Sequence, residues 1–352
     1  MSFYLVSNNE SYYSKTIAKI VSVTETEDKK TENDNGNIET FTNEKIQAVI
    51  MNGVHKGEKV NFQNTVSYSQ TVDKDMSLKV NDEVFVSVNE GADKKIISAQ
   101  FQDLKRDKYV AYIIILFVAL ILLIGGLKGL RSLISVLFNV IIFSVAIELF
   151  MHGYNLMLVA SIASLLFIIV SISIVSGKNI KTLSAIIGTV AGTLFSILIA
   201  VIVIRITHST GVHYEQMEFL THPPEPIFFA EILMGTLGGI MDIAISISSA
   251  MNEIYDKNNA IERKSLIQSG MEIGKDIMGT MSNTLVFAYI SGSIPIFLLW
   301  LKSGYSISNI IDVNISLEVM RALIGSIGIV LSIPITIFIC VILLKKHRIG
   351  ET

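Results

Sequence analysis

In the stretch FFAEILMGTLGGIMDIAISISSAMNEI, seven residues recur at steps of three and four: Glu231, Gly235, Gly238, Asp242, Ser246, Ser249 and Glu253. Such steps place them along one face of a helix. That face is small and polar, while Ile232, Leu233, Ile240, Ile243 and Ile247 cover most of the remainder. Glu231 and Asp242 are about three turns apart, so they lie on nearly the same line. A carboxylate in the middle of an apolar helix costs about 2.5–3.5 kcal/mol on insertion scales, so it faces protein or water rather than lipid. The chemistry such a group can do is to bind and release a proton or a cation. A second polar face follows, with Glu272, Asp276, Thr280 and Asn283 spaced by four, four and three. Asp242 and Asn283 are expected to form the closest polar pair, with Ser246 and Thr280 below them. The expected ion or proton path is therefore Asp242, Asn283, Glu231, Ser246, Thr280 and Asp276. Each residue also has a plain structural reading. Asp242 can be a staple between helices, Asn283 interhelical glue and Glu231 a snorkelling boundary residue. Asp276 and Glu272 can be solvated, and Glu318–Arg321 can be a local i,i+3 ion pair.

The elements that must position these residues follow from composition. The chain has 352 residues, Lys+Arg 28 against Asp+Glu 31, a net charge of −3, 51% hydrophobic and only 17% charged residues. Its mean hydropathy is +0.55. Soluble domains carry about 25% charged residues. A water-soluble enzyme, a disordered chain and a nucleic-acid binder are excluded. The charges are unevenly distributed: residues 1–108 hold 14 Lys/Arg and 17 Asp/Glu, and the longer remainder holds 14 of each. The expected organisation is a polar, extracytoplasmic β-rich domain over 1–108, a transmembrane helical domain over 109–344, and a cytoplasmic tail over 345–352.

A bilayer core needs about 20 apolar residues per helix. Seven runs satisfy this, near 109–126, 132–150, 156–176, 183–204, 227–251, 277–300 and 318–344. The fold class expected is a polytopic α-helical membrane bundle of seven spans behind a small N-terminal β-barrel or sandwich. Lys128, Arg131, Lys178, Lys181, Lys257, Arg263, Lys264, Lys275, Lys345, Lys346 and Arg348 all fall on one side of that bundle, which the positive-inside rule makes cytoplasmic. The N-terminal domain is then outside and the C-terminus inside. Residues 1–10 contain no basic segment followed by an apolar one, so a further span is expected before residue 1. Gly235-x-x-x-Gly239 and Gly188-x-x-x-Gly192 fit the small-xxx-small pattern of close helix packing, and Gly238 joins the first of them.

In the polar domain, period-2 alternation marks strands at Thr16–Val23, Lys45–Met51, Glu58–Phe62, Glu83–Asn89 and Lys95–Gln100. Turn signals stand between them at Asn33–Gly36, Asn52-Gly53 and Glu90-Gly91. Five such strands suggest an OB-like barrel or a sandwich. Glu25–Glu39 reads as an acidic, solvated loop. The segment Arg205–Pro226 holds His208, His213, His222, Glu215, Glu218 and Glu225, but the irregular spacing is not that of a zinc site. No metal and no cofactor is expected. The single cysteine, Cys340, allows no internal disulfide.

Three blocks resemble the YibE/F family of bacterial membrane proteins: MEFLTHPPEPIFFAEILMGTLGGIMDIAISISSAMNEI at 217–254, GKDIMGTMSNTLVFAYISGS at 274–293 and VMRALIGSIGIVLSIPIT at 319–336. A fainter resemblance joins 238–254 to the fourth transmembrane helix of resistance–nodulation–division permeases and of SecD and SecF. There a small-rich segment precedes an intramembrane Asp implicated in proton coupling, which by position corresponds to Asp242. This chain has one such Asp where drug exporters have an adjacent pair, and its outer domain is far smaller than theirs. The resemblance implies a half-sized unit that forms a homodimer or partners a paralogue in the bilayer.

The function expected is a transporter or permease of the bacterial cytoplasmic membrane, coupled to protons or cations through Asp242. The alternative is a non-transporting assembly or sensor protein whose outer domain binds a protein or cell-wall partner. Enzyme activity is not expected. Asp242 and Asp276 lie at different depths, unlike an aspartyl protease pair, and no Ser/His pair, phosphate loop or haem site is present.

Overall fold

Among the described residues of the first hundred or so, alternating apolar side chains fold into five antiparallel strands: β1 (Ile17–Glu32), β2 (Ile38–Ile50), β3 (Lys59–Ser67), β4 (Glu83–Glu90) and β5 (Ile96–Leu104). The computed structural model describes residues 9–32, 38–67, 76–91, 95–206, 213–214 and 223–349. The strand order is β3-β2-β1-β4-β5, and the two end strands, β3 and β5, approach each other, so the sheet curls into a near-closed small barrel. A barrel, rather than a sandwich, is what this sheet makes. Its interior takes every second residue, with Ala18 and Ile20, Ile46, Ala48 and Ile50, Val60 and Phe62, and Val84 and Val86 all buried. Full burial of each large one stabilises by about 1.5–3 kcal/mol.

Two strands run further than their hydrophobic patterns suggest. Glu25–Glu32 and Ile38–Glu39 belong to β1 and β2, paired through Lys30↔Thr40 and Thr31↔Glu39. The expected acidic loop is therefore largely a hairpin arm, and only 33–37, with the Asn33–Gly36 turn signal, lie outside the described residues. The segment is mostly polar in sequence, so it carries no period-2 hydrophobic signal to mark it as a strand. The Asn52-Gly53 turn is present. Gly53 takes φ 76°, a left-handed conformation that glycine adopts without steric cost. The Asn52 side chain accepts from Ile17 N at 2.7 Å and donates to the carbonyls of Glu10, Tyr13 and Lys15, pinning the incoming chain.

Beside that turn, His55 touches two carboxylates, Glu58 Oε1 at 3.2 Å and Glu90 Oε1 at 3.0 Å. The bonds to Glu58 and then Glu90 hold its pKa above the ordinary histidine value, against the opposing pull of burial. A raised folded-state value means stability that is fully present below about pH 6.5 and lost as pH rises through the folded value. Thermal unfolding of the β-domain in the intact chain should thus occur at higher temperature at pH 6 than at pH 8. His55→Gln should flatten that difference, and an unchanged pH profile in the variant would exclude the clasp.

Among the described residues, six helices are long and apolar enough to cross a membrane. They are α1 (Asp107–Met151), α2 (Leu156–Ser176), α3 (Ile180–Ile206), α4 (Pro224–Lys257), α5 (Arg263–Lys302) and α6 (Ser316–Ile349). The expected count of seven is not found, and the difference falls in α1. Its 45 residues contain the first two expected spans, interrupted at Gly126, whose φ 52°, ψ −130° is not helical. The helix continues through Lys128 and Arg131, which the charge pattern assigns to a connection. A straight helix of that length would be about 68 Å long, more than twice a bilayer core. Each side of Gly126 is by itself long enough for one core. The chain divides into two compact units, Met1–Leu123 and Ile124–Thr352.

Within the second unit, α6 packs against α3, α4 and α5, and α4 also against α2 and α3. Lipid tails are as apolar as leucine, so helices associate through close packing of small residues rather than through hydrophobic exclusion. The glycines show where. A Cβ at Gly188 would collide with Thr336, and one at Gly192 would lie 2.9 Å from Ser332 and 3.0 Å from Ile240. One at Gly239 would lie 2.8 Å from Ile329, and one at Gly235 would collide with the Tyr289 hydroxyl. Gly238 is different: among the described residues nothing lies within 4 Å of its Cβ position.

Candidate functional site

The apolar face of α4 buries Ile232, Leu233, Ile240, Ile243, Ile247 and Met251 against the other helices. This burial turns the opposite face outward. Gly235, Gly238, Asp242, Ser249 and Glu253 are exposed on it, and Glu231 and Ser246 are half-exposed at its margins. The same happens on α5. Its buried positions are Leu266, Gly270, Gly274 and Leu285, so Glu272, Asp276, Thr280 and Asn283 are exposed on the other side. The expected Asp242–Asn283 pair is not formed: among the described residues neither side chain makes a hydrogen bond or an ion pair. Thr280 donates its hydroxyl to the Ile277 carbonyl at 2.8 Å, and Asp276 stands beside the surface pair Lys275–Glu272. The reason is geometric. Periodicity shows that polar residues share a face, but the partner of that face is set by which apolar stripes pack together. Here the apolar stripes converge on α6, which leaves Asp242 and Asn283 on exposed faces.

Two helices do bring charges together around Glu231, and a third adds a hydroxyl. Arg321 on α6 lies 3.3 Å from Glu231 Oε2 on α4 and 3.2 Å from Glu318 Oε1 one turn before it. Its guanidinium also sits 5.8 Å from the centre of the Phe228 ring, a cation–π contact. Tyr289 of α5 points its hydroxyl at Gly235 beside these groups. The hydroxyl of Tyr289, Glu231 Oε2 and Arg321 Nε are buried without a hydrogen-bond partner among the described residues. Two carboxylates thus share one guanidinium in a partly buried cluster. The i,i+3 spacing discloses the Glu318–Arg321 half of it. The convergence with Glu231 and Tyr289 has no local signal.

A second feature without an expectation is the row of buried hydroxyls on α3: Thr182, Ser184, Thr189, Thr193 and Ser196. Thr189 and Thr193 donate to carbonyls four residues back at 2.8 Å, while Ser196 crosses to the Ile324 carbonyl of α6 at 3.2 Å. Thr189 and Thr193 are thus satisfied within their own helix, which lets a hydroxyl stay buried in an apolar bundle. Cys340, also buried, donates to Ser248 Oγ at 3.4 Å.

No group of three or more His, Cys, Asp or Glu able to hold a metal ion occurs among the described residues. His208, Glu215, Glu218 and His222 lie outside the described residues.

In the β-domain the strongest polar cluster surrounds Lys105, which is 1% exposed. Its ammonium lies 2.8 Å from Glu83 Oε2 and 3.1 Å from Asp107 Oδ1. Asn9 Nδ2 and the Tyr13 hydroxyl donate to the other oxygen of Asp107 at 2.7 and 2.9 Å. This network ties the end of β5 and the N-terminal turn to the first residue of α1.

The comparisons with known proteins agree with this two-part organisation. Residues 113–346 match the family described as YibE/F-like protein, and residues 11–104 match the YibE/F family N-terminal domain. Neither a curated protein nor a solved structure matches the chain. With a barrel and a helical bundle each covered by a family match, the chain belongs to the YibE/F family.

Proposed function

We propose that this membrane protein is a transport-type protein of the bacterial cytoplasmic membrane. In this reading it works as an assembly of two copies or of a copy and a paralogue, and Asp242 binds and releases a proton or cation. The observation that carries the reading is the exposed position of Asp242 on α4, beside the open Gly238. An ionised carboxylate on a lipid-facing surface costs about 2.5–3.5 kcal/mol or more. A second polar face or a water-filled path between subunits removes that cost, and the open Gly238 lets another backbone come close. The path is then lined by the polar faces of α4 and α5 at a subunit boundary, with Ser246, Thr280, Asn283 and Asp276 along it and Glu231 at one end. The Lys/Arg distribution supports an N-terminal domain outside and a C-terminus inside.

The test has two parts. Vesicles containing the purified chain should pass protons, read with an enclosed pH-sensitive dye, and Asp242→Asn should lower that flux at least tenfold. Unchanged flux would remove Asp242 from the path. In a Cys340→Ser background, Gly238→Cys should crosslink to a dimer in native membranes, and a persistently monomeric product would rule out the shared face. A second reading draws on the Lys105 network, which fixes the barrel to the start of α1: a non-transporting assembly or sensor protein whose outer domain holds a protein or cell-wall partner. That reading gains if crosslinking from the β-domain traps one stable partner and vesicles show no flux.

A further inference from the structure

At the end of the bundle where Lys and Arg are concentrated, a cavity of about 820 Å³ opens between the α2–α3 connection and the last turns of α4. The chain turns sharply there. Gly177 takes φ 75°, and the Thr182 hydroxyl donates back to its carbonyl at 2.5 Å, which fixes the short connection. Lys178 and Lys181 line the cavity from this connection, and neither ammonium has a hydrogen bond or ion pair with any described residue. The other wall is Asp256, whose carboxylate accepts from Asn252 Nδ2 at 2.7 Å. On the membrane side the wall changes character to Leu183 and Ile186, and Leu183 is exposed.

Two unpaired cations, one carboxylate and an apolar flank are complementary to a particular kind of molecule. The cations fit a phosphate, the carboxylate fits a hydroxyl or ammonium donor beyond it, and the apolar flank fits the start of an acyl chain. We propose that this cavity binds the phosphate-bearing headgroup of an anionic phospholipid, with the phosphate on Lys178 and Lys181 and a headgroup donor toward Asp256. Basic pockets between transmembrane helices recognise headgroups in this way, and each nearby Lys strengthens the attraction to anionic lipid. The site is independent of Asp242 and of any transport path.

The experiment uses the full chain in neutral detergent, titrated separately with phosphatidylglycerol, phosphatidylcholine and inorganic phosphate. Bound lipid is counted by native mass spectrometry, and thermal stabilisation is followed in parallel. Phosphatidylglycerol should bind roughly tenfold or more tightly than phosphatidylcholine, given two lysines in contact. Lys178→Gln/Lys181→Gln should abolish the preference, while Lys128→Gln/Lys264→Gln, which removes two charges outside the cavity, should keep it. Lys178→Arg/Lys181→Arg should retain binding, which controls for a glutamine variant that fails to fold. Stabilisation by inorganic phosphate equal to that by the lipid, and lost in the same glutamine variant, would reassign the site to a free phosphate compound and overturn the lipid. Equal binding of both lipids, or an unchanged preference in the glutamine variant, would overturn the site itself.

Discussion

Lys105→Ala should destabilise the β-domain by about 3–5 kcal/mol, the usual effect of removing one partner from a buried ion pair. Lys105 is among the largest fully buried side chains of the chain, and its ammonium is the counter-ion of both Glu83 and Asp107. Burial alone pushes the lysine toward its neutral form, and the bonds from Glu83 and Asp107 outweigh that push, so the group stays charged with a pKa above the ordinary lysine value. By linkage its contribution is fully present below about pH 10.4 and is lost only above it, so the loss in the variant should be the same at pH 6 and pH 8. Lys105→Met preserves the aliphatic stem yet leaves Asp107 without its cation and Glu83 with only the Lys108 ammonium 3.6 Å away, and should be nearly as damaging. Adding Glu83→Gln to Lys105→Met should recover part of the loss. Amide hydrogen exchange at Val84 and Val86 in the intact chain reads the effect. Protection unchanged by Lys105→Ala would show that the pair contributes nothing.

Arg321→Ala should cost the helical unit about 3 kcal/mol. The substitution leaves Glu231 and Glu318 without their shared cation and takes the guanidinium off the Phe228 ring. The side chain of Arg321 is only 14% exposed, so solvent screens little of this. Arg321→Lys should recover only part of the stability, because lysine lacks the rigid planar fork that addresses Glu231 and Glu318 from two different nitrogens and lies over the Phe228 ring. Glu231→Gln should have a much smaller effect, since that side chain is 39% exposed and the arginine keeps Glu318. Denaturation in mixed detergent, followed by the fluorescence of Trp300, orders the three variants. A ranking with Glu231→Gln as the most damaging would contradict the shared-cation arrangement.

These two sites show different degrees of legibility. The five strands of the barrel are visible because Ile46, Ala48 and Ile50, or Val84 and Val86, alternate with polar neighbours, and only one side of a barrel wall is buried. The apolar helices are visible because a bilayer demands continuous hydrophobic length; the run 156–176 coincides with α2. The arm of β1 and β2 was not visible, since cross-strand pairing of Thr, Glu and Lys requires no hydrophobic alternation. Lys105 was not visible either. A lysine beside Arg106 and Asp107 reads as a surface residue, and only the return of β4 beside β5 brings Glu83 to it.

The amino-acid sequence by itself determined the division into a polar domain and an apolar one, the positions of the strands and most helices, and the polar faces on α4 and α5. All of these are one-dimensional periodicities, fixed by backbone geometry and by the solvent each segment meets. Tertiary structure alone decided that the two polar faces turn outward rather than toward each other, that a break at Gly126 is all that separates the first two expected spans, and that Arg321 joins Glu231 to Glu318. Those outcomes depend on which apolar and glycine-lined surfaces fit together most closely, a three-dimensional property that residue spacing along one helix does not encode.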